Sequence, residues 1–234
     1  MERTLRFNGL PWYEPIQKKK ILIVGAGGIG SWTALFLSRI FENSNVTVID
    51  FDLIEEYNLA GQFYAKSQIG KTKVGALSNS IMNNYGGYIT IYPIRVQDIG
   101  NITEYDYIIS AVDNMEARKY IFDRVSSNED KFIPIIDGRL LAESYQILTV
   151  SSPELLEQYK ATLFQDSDVA DLACSAKATT HCGASIAADI TGLIVNMVTN
   201  EDAKDNIREV PFMISKHFDL MYYDTEIPKM FQTT

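Results

Sequence analysis

One short segment constrains the fold of this chain more than any other. An apolar run without alternation, Lys20–Val24, passes directly into Gly25-Ala-Gly-Gly-Ile-Gly30. Such a run predicts a strand that is covered on both faces. Apolar residues then recur at helical spacing from Ser31 to Phe41, and a second apolar run follows at Val46–Asp50. We therefore predict a βαβ unit, whose two strands are parallel because a helix connects them.

Strands and helices continue to alternate after this unit. Helices are predicted near residues 71–85 and 115–126, and strands near residues 88–92, 107–112 and 132–136. This order is typical of an α/β fold with a Rossmann-like, doubly wound, mostly parallel sheet. A strand that arrives without a preceding helix, Tyr145–Val150, predicts an antiparallel extension of the sheet in the C-terminal half.

The rest of the chain is predicted to complete one domain. Ala184–Val198 has the pattern of an apolar helix, and Phe218–Tyr223 is a strand-like aromatic patch. We expect a single domain, residues 1–234, in three parts: an N-terminal arm (1–19), a nucleotide-binding core (20–150), and a crossover loop, helix and C-terminal extension (151–234).

The composition limits the classes of partner. With 30 acidic and 21 basic side chains the formal charge is −9, and nucleic acid is an unlikely partner because its binding depends largely on Lys and Arg. No uninterrupted apolar run reaches the roughly 20 residues of a membrane span, and the pattern of a signal peptide is absent. We therefore expect no membrane association and a cytoplasmic location.

The glycine-rich segment predicts a nucleotide site. Its first glycine permits a tight turn, the next ones let the backbone approach a phosphate, and the last lets helix and strand pack closely. The candidate phosphate-binding positions are Gly25, Gly27, Gly28 and Gly30. Asp50, twenty residues after Gly30, can accept hydrogen bonds from both ribose hydroxyls. The alternative is a glycine-rich turn that only joins strand to helix, and on these features alone the favoured nucleotide is NAD.

Further motifs give the chain a family resemblance. They are Asp50-Phe-Asp-Leu-Ile-Glu-Glu-Tyr-Asn-Leu59 with Gln62, Ile69-Gly-Lys-Thr-Lys73, and Val112-Asp-Asn114 with Arg118. In this order, over roughly residues 20–150, they resemble the ThiF/MoeB/HesA family of E1-like ATP-dependent adenylating enzymes. The resemblance implies ATP and Mg²⁺ as cofactors, a small protein or peptide with a free C-terminal carboxylate as substrate, and a homodimer.

The resemblance also implies roles for individual residues. Asp50 would bind the ribose, Asn58 and Lys73 would contact phosphate, and Asp113 would coordinate the metal. Lys73 and Asp113 suit these roles chemically, because adenylation requires fixed cations and a metal more than acid or base groups. The alternatives are a solvated Lys73 and an Asp113 that only caps the following helix. The full candidate nucleotide set, besides the glycines, is Asp50, Asp52, Asn58, Gln62, Lys73, Asn114 and Arg118. Arg118 could instead pair with a neighbouring acid.

One position departs from the family pattern. Where well-known members have an arginine before the glutamine, this chain has Gly61. Losing such a phosphate contact would cost about 1.5–3 kcal/mol unless another cation substitutes. We expect the substitute to be Arg139 of the same chain, or Arg3 or Arg6 of the partner subunit in a homodimer. The alternative is nucleotide binding without efficient turnover.

The two cysteines raise a separate question. They are too few for the paired Cys-x-x-Cys ligands of a structural zinc site, so we expect none. Family members place a loop over the active site in this region, and some use a cysteine there to form a thioester. Cys174 is the stronger candidate and Cys182 the weaker one, although cysteine is also a common core residue. His181 could lower the pKa of Cys182 only if the fold brings the two side chains into contact.

Three functions compete on this sequence. The leading hypothesis is an adenylyltransferase that converts a carboxylate and MgATP into an acyl adenylate and pyrophosphate. Gly61 favours a nucleotide-binding pseudo-enzyme or regulatory subunit of an E1-like pair instead. The glycine-rich segment alone would also suit an NAD-dependent oxidoreductase.

Overall fold

One mixed sheet organises the protein. The computed structural model describes residues 4–164 and 179–228. Within these ranges eight strands form a sheet with the order β3-β2-β1-β4-β5-β6-β7-β8. The strands are β1 Ile21–Val24, β2 Val46–Ile49, β3 Thr90–Tyr92, β4 Tyr107–Ser110, β5 Ile135–Leu141, β6 Ser144–Val150, β7 Met213–His217 and β8 Tyr222–Glu226.

The pairing confirms the predicted fold class. Neighbouring strands from β3 to β5 run parallel, whereas β6, β7 and β8 add on in antiparallel order. The chain is thus a Rossmann-like α/β protein with an antiparallel extension in its C-terminal half. The α-helices are α1 Tyr13–Ile16, α2 Gly30–Ile40, α3 Lys73–Tyr85, α4 Met115–Ser126, α5 Leu156–Lys160 and α6 Thr180–Glu201.

Helices cover both faces of the parallel strands, which explains their unbroken apolar sequences. Every residue of β1, β2 and β4 is buried. Ile23 belongs to a core cluster with residues of α2, α3 and α6, while the next-door Leu22 belongs to a second cluster with residues of α4 and α5. Because successive residues of a strand point to opposite faces, both faces must be apolar.

Two predicted strands have different bounds in the structure. The strand expected at residues 132–136 is β5, which begins at Ile135 and continues through Gly138 and Arg139 to Leu141. The aromatic patch Phe218–Tyr223 is a strand only in part: residues 218–221 form the turn between β7 and β8, and Tyr222 and Tyr223 begin β8. Pairing with β6 extends β5 and sets β7, and that pairing is not visible in the local sequence.

Helix α6 is longer than the predicted helix Ala184–Val198, because it begins at Thr180 and ends at Glu201. By length and composition alone, this helix of 22 residues is long and apolar enough to cross a membrane. In the described part of the chain, however, it packs against α2 and against β5 and β6. Ile186, Ile190 and Ile194 on its inner face are fully buried. Core packing therefore accounts for its composition.

The N-terminal arm lies at the end of the sheet where β1 begins. The Thr4 hydroxyl donates to Glu42 Oε1 at 2.9 Å, and Gln17 Nε2 donates to the carbonyl of Ile40 at 3.0 Å. Ile40 is the last residue of α2, and Glu42 lies two residues beyond it. Since α2 is 11 residues long, the arm is about 16 Å from the glycine-rich segment at the start of that helix.

Candidate active site

The glycine-rich segment forms a tight loop that only glycine can occupy at two positions. Gly25 has a φ of 95°, and a Cβ atom there would lie 2.5 Å from the carbonyl oxygen of Ala111. A Cβ atom at Gly30 would lie 1.8 Å from the carbonyl oxygen of Gly25. With Gly27 and Gly28 between them, this loop leads into the first turn of α2, and the N-terminus of a helix favours an anion.

Asp50 holds this loop in place from the end of β2. Its Oδ2 accepts the N–H of Ala26 at 2.7 Å, and its Oδ1 accepts the N–H of Asp52 at 2.8 Å. Burial raises the pKa of Asp50 above its ordinary value, and the nearby Lys73 charge and the two amides oppose that shift. Each carboxylate oxygen has a second lone pair, so Asp50 can still accept ribose hydroxyls.

Lys73 and Asp52 form an ion pair beside Asp50. Lys73 Nζ lies 2.7 Å from Asp52 Oδ2, and the backbone N–H of Lys73 donates to the carbonyl of Asp52 at 2.9 Å. The Lys73 side chain is 10% exposed, whereas that of Asp52 is 48% exposed. The structure therefore brings three predicted residues together, and it gives Lys73 a fixed, largely desolvated position rather than that of a solvated lysine.

The segment from Ala60 to Tyr64 packs on the glycine-rich loop. Tyr64 donates its hydroxyl to the carbonyl of Ala26 at 2.6 Å, and Trp32 Nε1 donates to the carbonyl of Gly61 at 3.2 Å. Burial raises the pKa of the Tyr64 hydroxyl far above its ordinary value, and the Asp50 charge adds to this effect. Our sequence reasoning missed both aromatic residues, because nothing distinguishes them from core residues before the fold is known.

Gln62 carries an unsatisfied acceptor at this place. Its Oε1 is buried and has no hydrogen-bond partner among the described residues. Its Nε2 lies 3.9 Å from the Cβ position of Gly27. Buried polar atoms are normally hydrogen-bonded, so an acceptor without a partner beside the glycine-rich loop is consistent with a ligand that donates to it. Gln62 therefore fits its predicted place in the nucleotide set.

Asn58 supports the turn that precedes this segment. It is buried, with 4% exposure, and its Oδ1 accepts the N–H of Glu55 at 2.8 Å. The side-chain oxygen therefore stabilises the 3-10 turn Glu56–Ala60. A phosphate contact from Asn58 would have to come from its amide nitrogen.

Asp113 and Asn114 follow β4, just beyond Ala111 and Val112, whose backbone atoms lie beside Gly25. Asn114 Oδ1 accepts the N–H of Ala117 at 2.9 Å and so caps α4. The capping role that Asp113 could have had thus belongs to Asn114, and the Asp113 carboxylate is exposed. Among the described residues no group of three or more His, Cys, Asp or Glu side chains could hold a metal. Mg²⁺ commonly binds through one or two carboxylates plus phosphate and water, and Asp113 fits this pattern.

The two predicted arginines are held by a buried acid. Arg118 Nε lies 2.9 Å from Asp137 Oδ1, and Arg139 Nε lies 2.8 Å from Asp137 Oδ2. Arg139 also donates to the hydroxyl of Thr162 at 3.0 Å. Of the two roles we considered for Arg118, the structure shows the pairing with an acid. Arg139, expected to replace the arginine missing at Gly61, has its guanidinium directed to Asp137 and Thr162.

The first turn of α6 packs against both the glycine-rich loop and Gly61. A Cβ atom at Gly183 would lie 2.5 Å from the carbonyl oxygen of Gly28 and 3.2 Å from that of Gly61. Thr180 donates its hydroxyl to the carbonyl of Ala60. The backbone of α6 therefore occupies space beside the position where family members have arginine.

Cys182 has the surroundings of a core residue. It is fully buried, and burial raises the pKa of its thiol. The ring of His181 packs edge-on against Phe218, 4.8 Å between centroids. A buried thiol with a raised pKa is a poor nucleophile.

Cys174, the stronger thioester candidate, lies outside the described residues, as does Arg3. Arg6 lies in the arm, which contacts the end of α2 away from the glycine-rich loop, so the Arg6 of the same chain is far from this site. A contribution from Arg3 or Arg6 of a partner subunit stays a prediction.

Comparisons with known proteins match this chain to one protein family. The model of the ThiF family matches residues 1–218. The NEDD8-activating enzyme E1 catalytic subunit of Caenorhabditis elegans is 29% identical over an alignment of 150 residues, and the match covers 55% of this chain and 35% of that protein. The ubiquitin-like modifier-activating enzyme 5 of Bombyx mori is 31% identical over an alignment of 124 residues, and the match covers 47% of this chain and 31% of that protein. The matched part thus spans about a third of each relative.

Solved structures share the fold. Escherichia coli MccB, solved with ATP, superposes on 97% of this chain and 70% of its own with a TM-score of 0.68 and 14% identity. PaaA superposes on 92% of this chain and 75% of its own with a TM-score of 0.64 and 21% identity. These likenesses extend over the antiparallel extension as well as the parallel core. Because the family model spans 218 of the 234 residues, the chain belongs to the ThiF family.

Proposed function

We propose that this chain is an ATP-dependent adenylyltransferase that activates the C-terminal carboxylate of a small protein or peptide. The observation that carries the proposal is the position of Lys73: a largely buried cation beside Asp50, at the loop where α2 begins. A triphosphate needs such a cation. The membership in the ThiF family and the names of the relatives, activating enzymes for NEDD8 and for ubiquitin-like modifiers, support the same reaction.

The proposed reaction joins an oxygen of the substrate carboxylate to the α-phosphorus of ATP and breaks the bond from that phosphorus to the bridging oxygen. Pyrophosphate leaves with the bond's electron pair. No proton has to move, so the site needs charge stabilisation and alignment. The amides of α2 and the Lys73 ammonium would stabilise phosphate charge, and Asp50 would orient the ribose. Mg²⁺, held by Asp113, would neutralise charge on the phosphates.

Pyrophosphate exchange into ATP tests the reaction. We expect exchange with a small protein or peptide that ends in a free carboxylate, and none with the same chain amidated at its C-terminus. Asp113→Asn should reduce exchange at least about a hundredfold, since it removes the proposed metal ligand. Glu116→Gln, also exposed and two residues beyond the Asn114 cap, is the matched control and should retain exchange. Equal exchange by both variants would exclude Asp113 as the metal ligand.

A nucleotide-binding subunit without turnover is the second candidate function. Gly61 favours it, because the arginine expected there is absent and α6 packs against that position. Such a subunit would bind ATP but support no pyrophosphate exchange with any carboxylate offered. Exchange that appears only after an active homologue is added would establish this role instead. A homodimer and a cytoplasmic location remain our proposals for the complete protein.

A further inference from the structure

The most deeply buried charge near the candidate site belongs to a residue that the reaction does not use directly. Asp137 in β5 has no exposed surface and lies in register with Ser110, the last residue of β4. Its two carboxylate oxygens each accept a guanidinium hydrogen, from Arg118 at 2.9 Å and from Arg139 at 2.8 Å. Because it is covered, Asp137 cannot touch a nucleotide.

Arg118 connects this acid to the loop that carries Asp113. While its Nε donates to Asp137, its terminal nitrogen donates to the carbonyl of Val112 at 2.6 Å and to that of Gly138 at 3.3 Å. Val112 directly precedes Asp113. One guanidinium therefore joins the segments that follow β4 and β5, and it does so in a buried environment where hydrogen bonds to a charged group are strong.

The loop is thus fixed on both sides of Asp113. Arg118 holds the carbonyl on one side, and the bond from Asn114 Oδ1 to the N–H of Ala117 holds the other. Arg118 itself projects from the first turn of α4, so the helix, its cap and the loop form a closed ring of contacts. The orientation of Arg118 within this ring depends on Asp137.

We propose that Asp137 is a positioning residue for the metal-binding carboxylate: it orients Arg118, which fixes Val112 and thereby Asp113. This inference rests on the proposed function for its metal-dependent part only. Residues beyond the direct ligands commonly change metal affinity when they are altered, by about 10- to 100-fold. We expect an effect at the lower end, since Asp113 itself is retained.

Two variants test the chain of contacts. Asp137→Asn keeps the size of the side chain but removes the charge that orients Arg118. Arg118→Lys keeps a cation next to Asp137, but an ammonium cannot reproduce the two-sided geometry of the guanidinium. If the Asp137→Asn variant does not fold, the result for Arg118→Lys alone tests the proposal. Ile121→Val, a core change in α4 that lies away from the loop, controls for a general loss of stability.

The first readout needs neither nucleotide nor metal. Hydrogen exchange of the ligand-free protein should show faster exchange at the amide of Ala117 and its neighbours in both variants, by about tenfold or more, and no local change in Ile121→Val. The second readout compares ATP binding with Mg²⁺ and with a chelator. The Mg²⁺ concentration for half-maximal binding should rise about tenfold in both variants, while binding in chelator is unchanged.

The outcomes separate this inference from the proposed function. Unchanged exchange at Ala117 would overturn the inference, and so would faster exchange with an unchanged Mg²⁺ requirement. If the unaltered protein binds no ATP at all, the proposed function fails, while faster exchange in the variants would still establish that Asp137 positions the Asp113 loop. Changes in both readouts would support the complete inference.

Discussion

At the scale of single residues, Lys73 should account for more nucleotide affinity than any neighbouring cation. Its ammonium is largely buried beside Asp52, and a hydrogen bond from such a group to phosphate contributes about 1.5–3 kcal/mol. Lys73→Met should therefore weaken ATP binding about 10- to 100-fold, as measured by equilibrium dialysis. Lys71→Met changes an exposed lysine of the same segment and should leave the affinity unchanged. Equal losses in the two variants would mean that Lys73 has no specific contact.

Asp50 gives a prediction about pH. Its pKa is raised above 3.8 in the folded protein, chiefly by burial, so between 3.8 and the raised value the folded state binds more protons than the unfolded chain. The contribution of Asp50 to the free energy of unfolding must then fall as pH rises through that window. The difference in unfolding free energy between the unaltered protein and Asp50→Asn should decrease with pH there and become constant above it. Urea unfolding at several pH values measures this difference, and a difference that grows with pH would contradict the raised pKa.

Some residues of the site were predictable because their places follow from local sequence. Asp50 ends one predicted strand, Asp113 follows another, and Lys73 lies in the first turn of a predicted helix, so parallel pairing brings them to one edge of the sheet. The positions of Arg118 and Arg139 were not predictable, because both depend on the register of β4 with β5 that buries Asp137 between them. The ion pairs that both arginines form with Asp137 were therefore seen only in the structure.

At the scale of elements, the close contact between α6 and the glycine-rich loop requires glycine at 183. A Cβ atom there would lie 2.5 Å from the backbone oxygen of Gly28, so the helix would have to move away. Gly183→Ala should cost about 1–3 kcal/mol of stability and should weaken ATP binding, because the loop would shift with the helix. Thermal unfolding and dialysis measure the two effects.

The same helix provides the control for this prediction. A Cβ atom at Gly192 would meet nothing within 4 Å, and the residue is exposed. Gly192→Ala should therefore stabilise the protein by about 0.4–1 kcal/mol and leave ATP binding unchanged. If Gly183→Ala also stabilised the protein and left ATP binding unchanged, the close contact between α6 and the glycine-rich loop would be contradicted.

The elements also show what a local pattern can reveal. The strands β1, β2 and β4 were recognisable because both of their faces are buried and their sequences are continuously apolar. The bounds of β8 were not recognisable, because four of its five residues are exposed. Its strand conformation is stabilised by pairing with β7 rather than by burial. The turn between β7 and β8 includes Met221, whose φ of 48° lies in the left-handed region. The apolar residues of this segment did not indicate such a turn.

At the scale of the whole molecule, one continuous sheet positions the site. The loops after β1, β2 and β4 meet at the carboxyl edge, as the doubly wound topology requires, and the antiparallel strands extend the sheet beside them. The sequence predicted this plan because its helices and strands alternate. The packing of the start of α6 on that edge is a long-range contact, so no local signal could have revealed it.

Calorimetric titration of the unaltered protein with MgATP and, separately, with NADH tests the central claim most directly. The account predicts saturable binding of MgATP, with affinity reduced when the metal is chelated, and no heat of binding for NADH. Binding of NADH in place of MgATP, or the lack of any response to MgATP, would contradict the assignment of this edge of the sheet to a triphosphate.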